Sequence, residues 1–209
     1  MRINAIRLTT PDVDATRSAY RRLGAGGVRV EVVEGRTHGL DAVVLGVDDV
    51  AATERLLQRR GLEGDSAGFD IGDTTWRLAA QATNTAGGEV RLDHVVVRTD
   101  DADRAAADFG ARLGMDLRLD RTIADRGVRG LFFRAGSTVI EVLVPLDPGG
   151  PREFGGLAWE AKDIVATRER LLGEGVEVTE IRSGRKSGTV VATVRDPALA
   201  TPTLLIANA

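Results

Sequence analysis

The sequence predicts an α+β protein assembled from β-then-α units. Three observations lead there. A short β-branched or apolar run followed by a helical stretch begins four times, near residues 3, 40, 91 and 155. All four helical stretches open on an Asp and close on a Gly, the residue types that cap helix starts and helix ends. Further strand-like runs follow the third and fourth helices, punctuated by glycines.

Taken in order, INAIRLT (3–9) is the first strand and DVDATRSAYRRLG (12–24) the first helix. Between Gly24 and Leu40 there is room for one strand, GVRVEVVEG, and not for three. LDAVVLGV (40–47) and DVAATERLLQRRG (49–61) form the second start. This helix shares an Asp, an Ala-Thr, a Leu pair and a closing Gly with DIVATRERLLGEG (163–175), an internal repeat of partial quality. QATNTAGGE (81–89) holds only small and polar residues and is the expected linker. The expected division is therefore a domain over 1–80, a linker over 81–90 and a domain over 91–209.

The third start is RLDHVVVR (91–98) with the helix DADRAAADFGARLG (101–114). Three strand candidates follow: MDLRLDRT (115–122), RGLFFRA (129–135) and STVIEVLVP (137–145). DPGGPREFGG (147–156) is a connector. GGLAWEA (155–161) and the helix 163–175 are the fourth start, followed by VEVTEIR (176–182), GTVVATVR (188–195) and TPTLLIAN (201–208). The unit is βαβββ in the second half and abbreviated in the first.

Composition bounds the function. The chain has 209 residues, 43% hydrophobic and 28% charged, and two domains of about half that length would each bury a core. A formal net charge of -3 gives no basic face for a nucleic acid. The absence of cysteine removes disulfides, zinc–thiolate sites and thiol nucleophiles, and fits a reducing compartment. MRINAIRLTTPDVD has no long apolar core of a signal peptide, and no apolar run reaches membrane-span length. The expectation is a cytoplasmic protein with neither membrane nor nucleic-acid partner. There is no Gly-Lys-Ser/Thr phosphate loop and no Gly-x-Ser-x-Gly elbow.

The fourfold βαβββ pattern, LDHVVVRTDDADRAAADFGARLGM and VIEVLVP together resemble the vicinal oxygen chelate superfamily, which includes glyoxalase I, extradiol dioxygenases and bleomycin-resistance proteins. The resemblance covers 91–209 well and 1–80 mostly in topology. It implies paired βαβββ modules whose mixed sheets curl around a cleft, in two tandem glyoxalase-like domains. It also implies metal ligands at the start of the first strand and on the fourth strand of each unit, which here places His94 and Glu141 at the first two positions. Alternation puts His94, Val96 and Arg98 on one face of their strand, and Val139, Glu141 and Leu143 on one face of theirs. An imidazole and a carboxylate suit Zn, Fe, Mn or Ni.

The second half-site lacks its donors. The resemblance aligns its His with Gly156 and its carboxylate with Leu204 to Ile206. Gly156, Ala158 and Glu160 share a strand face, but Glu160 lies about 13 Å along the strand from Gly156, too far to replace the lost ligand. Ala5 and Ala42 stand at the corresponding positions of the first half. Glu141 is the harder residue to read as mere core, because a carboxylate is rarely fully buried unless paired, and His94 is the expected partner. His38 is expected to be exposed in a turn, and Trp159 and Phe154 to pack beneath helices.

The expected function is small-molecule binding in the C-terminal cleft, with an incomplete metal site and no resident cofactor. His94 and Glu141 supply the polar chemistry there, and Val96, Arg98, Gly156, Ala158 and Glu160 line the site. The alternative is a metal-dependent lyase, isomerase or dioxygenase that uses His94 and Glu141 as ligands to a divalent ion, or as acid and base without one. The expected partner is a small organic ligand, with the chain a monomer or homodimer.

Overall fold

A computed structural model of the chain describes residues 1–65, 68–82, 87–147, 149–150 and 152–209. The centre of the expected linker, residues 83–86, and two residues of the 147–156 connector lie outside the described residues.

Strands dominate. In chain order they are β1 (Arg2–Thr10), β2 (Ala25–Gly26), β3 (Arg29–Glu34), β4 (Gly39–Val47), β5 (Gly64–Asp65), β6 (Gly68–Ile71), β7 (Thr74–Ala80) and β8 (Val90–Arg98). They continue with β9 (Asp116–Ile123), β10 (Val128–Ala135), β11 (Thr138–Pro145), β12 (Glu153–Ala161), β13 (Arg182–Ser183), β14 (Thr189–Val194) and β15 (Thr203–Asn208). The α-helices are α1 (Val13–Leu23), α2 (Val50–Arg59), α3 (Ala102–Ala105) and α4 (Ile164–Gly173). The four predicted starts are β1–α1, β4–α2, β8–α3 and β12–α4. Among the described residues the strands form a six-stranded and a nine-stranded sheet, so the fold is α+β as predicted. No helix among the described residues is long and apolar enough to cross a membrane.

The predicted caps form as the residue types dictate. Asp12, Asp49, Asp101 and Asp163 each accept a hydrogen bond at Oδ1 from the backbone N–H three residues on, at 2.8–2.9 Å. Gly24 closes α1 in the left-handed region at φ 72°.

The third helix departs from expectation. After α3 the chain runs as a π-helix over Ala106–Arg112. Asp108 is buried there and accepts from Arg104 and Arg112, one turn before and after it, at 2.9 Å each. The wider turn seats Phe109 against Phe133, with ring centroids 5.4 Å apart.

VEVTEIR also departs: it contributes an isolated bridge at Val178 and the short β13 rather than a seven-residue strand. The Thr179 carbonyl accepts from Arg168 Nε, and the Thr193 N–H is satisfied by the Thr179 hydroxyl, so side chains take the bonds a ladder would use. The sequence reading assigned no strand between residues 62 and 80, where β5, β6 and β7 form.

The chain divides into two compact units. Unit 1 comprises Met1–Ile6, Asp41–Thr83 and Val95–Gly155; unit 2 comprises Arg7–Leu40, Asn84–His94 and Gly156–Ala209. Each unit draws on both stretches that the sequence reading separates at 81–90. Within unit 1 the strand orders are β4-β7-β6-β5 and β8-β11-β10-β9. Its core is centred on Trp76, whose ring meets Phe109 at 5.3 Å and Phe154 at 5.6 Å. Within unit 2 the order is β13-β14-β15-β12-β8, with β2 beside the first residues of β8. There Trp159 is fully buried and packs edge-on to Tyr20 of α1, as expected of a residue beneath a helix. The Tyr20 hydroxyl donates to the Leu199 carbonyl, and burial pushes its pKa far above the ordinary tyrosine value.

Candidate functional site

In unit 1 the register of β9, β10 and β11 sorts the side chains onto two faces. Leu131 stands beside Val142 and Phe133 beside Ile140; all four are buried, and Phe109 of the π-helix covers Phe133. The opposite face carries a row that runs Leu119, Phe132, Glu141 across the three strands. Beside it lie Gly130 and Leu143, paired in register. The Phe132 ring lies over Gly130, where an added Cβ would come within 2.9 Å of it. Leu119 is 45% exposed, Phe132 is half-buried and Glu141 is 7% exposed. Glu141 thus stands on the face away from the helix, at the buried end of an aromatic and aliphatic row. Phe132 and Leu119 went unmarked in the sequence; the signal was the alternation of RGLFFRA, which sends its two adjacent phenylalanines to opposite faces.

The other unit 1 residues predicted from sequence lie near the exit of β8 and the entry of β12. Val96 Cγ1 and the Arg98 stem occupy the space a Cβ on Gly155 would need, at 2.7 and 3.2 Å. Arg98 Nη1 also lies 3.4 Å from Glu153, an exposed pair of little energetic worth.

In unit 2 the start of β8 holds the histidine. His94 Nδ1 and Asp93 Oδ2 are 2.7 Å apart, with the imidazole mostly buried and the carboxylate half-exposed. Strict alternation would send these neighbours to opposite faces. The burial pattern of β8 shows why they meet: the buried positions are Val90 and Leu92, then Val95 and Val97, so the phase slips between 92 and 95 and leaves both Asp93 and His94 half-buried. The His94 hydrogen bond is the largest cause holding the Asp93 carboxyl below the usual Asp range; the charges of His94, Lys186 and Arg91 act in the same sense, and burial opposes them. An ionised Asp93 accepting from Nδ1–H leaves the Nε2 lone pair as the basic atom of the neutral ring.

Around this pair, Arg91 Nε donates to Glu160 Oε2 at 2.5 Å. Glu160 stands beside Ile206 and Ala158 beside Leu204 in the parallel pairing of β12 with β15. Ala158 is buried and Glu160 half-buried. Gly156 has φ 136°, and a Cβ there would lie 2.5 Å from the Pro202 carbonyl oxygen, which accepts the Leu157 N–H at 2.9 Å. The position that the resemblance aligns with a second histidine is therefore closed to side chains. His38 is exposed as expected and bonds Thr10 Oγ1 through Nδ1 at 3.1 Å.

Catalytic metal sites in proteins usually have three protein donors. Among the described residues no three His, Cys, Asp or Glu side chains form a group that could hold an ion. Together with the closed Gly156 position, this means that the side chains present do not fit a resident divalent ion of the implied kind.

A family model described as the Glyoxalase/Bleomycin resistance protein/Dioxygenase superfamily matches residues 93–193. The ethylmalonyl-CoA/methylmalonyl-CoA epimerase of Cereibacter sphaeroides is 34% identical over 98 residues, 42% of this chain and 73% of that protein. A mutant of 4-hydroxymandelate synthase from Streptomyces coelicolor matches 100% of this chain and 92% of its own, with TM-score 0.77 and 16% identity. Methylmalonyl-CoA epimerase of Streptomyces coelicolor, in complex with 2-nitronate-propionyl-CoA, covers 58% of this chain and 96% of its own, with TM-score 0.50 and 18% identity. The two structural likenesses are likenesses of fold.

Proposed function

The chain belongs to the glyoxalase/bleomycin resistance protein/dioxygenase superfamily, and from that membership we propose that it binds a small organic molecule through residues of 91–209 without a resident metal ion. The observation that carries this reading is Glu141, a carboxylate 7% exposed beside the half-buried Phe132, on the face that the helix leaves uncovered. Such a row offers an apolar body to a ligand and one polar contact at its end. In the other unit His94, oriented by Asp93, is a separate candidate for a polar contact. The tandem division into 1–80 and 91–209 belongs to the same proposal, since every ligand-bearing residue falls in the second stretch.

A second reading is favoured by the 34% identical epimerase: an isomerase that works by proton transfer. Inverting a centre next to a carbonyl requires removing a proton from one face and returning it on the other, a task for two acid–base groups. His94 and Glu141 are the candidates for that role, each tested by itself.

One experiment tests both. The purified chain is incubated with methylmalonyl-CoA in deuterium oxide, and deuterium at the α-carbon is followed by mass spectrometry while binding is followed by calorimetry. Exchange that His94→Ala and Glu141→Ala each reduce by a factor of about 100 or more supports the isomerase. Saturable binding without exchange, weakened by the same substitutions, supports the binding protein. Unaltered binding in both variants overturns the site.

A further inference from the structure

The hairpin formed by β13 and β14 carries Arg182, Arg185 and Lys186 within five residues, in a chain with a net charge of -3 and only two lysines, Lys162 and Lys186. Its tip is held firmly. The Thr189 hydroxyl and N–H both donate to the Lys186 carbonyl, at 2.6 and 3.1 Å; the Gly184 N–H donates to Thr189, and the Ala209 N–H to Gly188, at 2.8 Å each. Nearby arginines of unit 2 are matched: Arg168 with Glu180 and Arg195 with Glu177. Arg182 and Lys186 are exposed, and among the described residues neither side chain has an ion pair or hydrogen bond.

Register shows where these cations stand. Arg182 pairs with Val191, Val191 with Ile206, and Ile206 with Glu160, so one row crosses β13, β14, β15 and β12. The next row on the same face is Thr193, Leu204, Ala158. The other face, with Ala192, Leu205 and Trp159, is the one α1 covers through Tyr20. The face away from α1 therefore begins with a cation and continues over aliphatic side chains, of which Val191 is buried and Leu204 and Ile206 are half-buried. It ends at the Arg91–Glu160 pair. Three strand spacings make this about 14 Å.

We propose that the β13–β14 hairpin, through Arg182 and Lys186, recognises the anionic head of an organic ligand whose apolar body lies along Leu204 and Ile206. The ligand class is an aliphatic or acyl anion with a carboxylate or phosphate head, the groups for which a guanidinium is geometrically matched. The idea narrows the proposed ligand to an anion. Its evidence, the unpaired cations and the register, is independent of His94 and Glu141.

The probes are octanoate, octyl phosphate and the neutral octanamide, titrated into the full chain while backbone amide signals are followed by NMR. The expected result is that at least one anion binds about five-fold or more tighter than the amide, with the largest shifts in 182–191 and 204–206. Arg182→Ala with Lys186→Ala brings that anion to the level of the amide and leaves the amide unchanged; the two anions separate carboxylate from phosphate recognition. Both positions are exposed, so folding is preserved, and the double variant's spectrum verifies it. Equal affinity for anion and amide, undiminished preference in the double variant, no binding of any probe, or shifts confined to other strands would each overturn the proposal. The methylmalonyl-CoA exchange and binding of the His94→Ala and Glu141→Ala variants read the function proposed above, and the anion-over-amide preference of the double variant reads this one, so the two failures give different results.

Discussion

The strands β8 and β12 begin two equivalent β-then-α units, and the structure uses their openings in opposite ways. The opening of β8 carries the polar pair Asp93–His94 at a slip in the strand's alternation, with side chains of both residues partly accessible. The opening of β12 carries Gly156 at φ 136°, pressed against the Pro202 carbonyl, and three residues later Trp159 fully buried against Tyr20. One opening presents chemistry and the other packs backbone. A ligand position can be lost in two ways, by exchange of a side chain or by closure of the space it would fill, and β12 shows closure. A single substitution reverses only the first.

Five experiments break or sharpen that comparison, from the largest expected effect to the smallest. Trp159→Ala removes the anchor of β12 and costs about 3–5 kcal/mol, read as a lower midpoint in denaturant unfolding. A cost under 1 kcal/mol would mean β12 is not the packed strand described. Gly156→His does not restore a ligand; it costs about 3 kcal/mol through the positive φ and the approach to Pro202, lowering Tm by about 6–12 °C. A variant with unchanged Tm that gains a tightly held Zn ion would show the position to be open.

His94→Ala costs about 1 kcal/mol, the scale of one hydrogen bond, while removing the polar function of β8. Asp93 contributes a pH dependence. Its carboxyl titrates lower in the folded chain than in the unfolded one, where Asp lies near about 3.9. Its stabilisation is therefore present at neutral pH and is lost as pH falls through the acid range. Asp93→Asn flattens the stability curve below about pH 4, and thermal melts of the two proteins between neutral and acid pH read the difference. Identical acid limbs would remove Asp93 as the partner of His94. Last, the dialysed protein offered Zn, Mn, Fe or Ni holds well below one equivalent by elemental analysis. A stoichiometric ion lost on replacing His94 or Glu141 would return the metal-dependent reading.

Much of this was legible in the sequence, because it depends on local chemistry. An Asp before a helical run accepts from the third N–H wherever the helix lies, so all four helix starts were placed to within a residue or two. The strands of 129–145 and 188–208 announced themselves by β-branched or aromatic content. What escaped is non-local. VEVTEIR has strand composition, but Arg168 eleven residues upstream takes the Thr179 carbonyl. DADRAAADFGARLG has a helical pattern, but Phe109 packs against Phe133 of β10 and Ala106–Arg112 runs as a π-helix. Neither outside partner, Arg168 or Phe133, lies in the segment itself.

The sequence by itself determined the α+β class, the four β-then-α starts, the single histidine at a strand opening and the carboxylate inside VIEVLV, each from residue type and spacing along a few residues. The missing donor at 156 followed from the family resemblance. Only the tertiary structure decided that Asp93 is a hydrogen-bonded partner of His94, that Glu141 shares a row with Phe132 and Leu119, that Gly156 is closed by Pro202, and that Arg182 heads a row reaching Glu160. The physical reason is register. The side-chain period of a strand is two, so a slip of one residue or a single close backbone approach decides which face a side chain occupies and which neighbour it meets. That choice is made by the adjoining strands, not by the strand's own sequence.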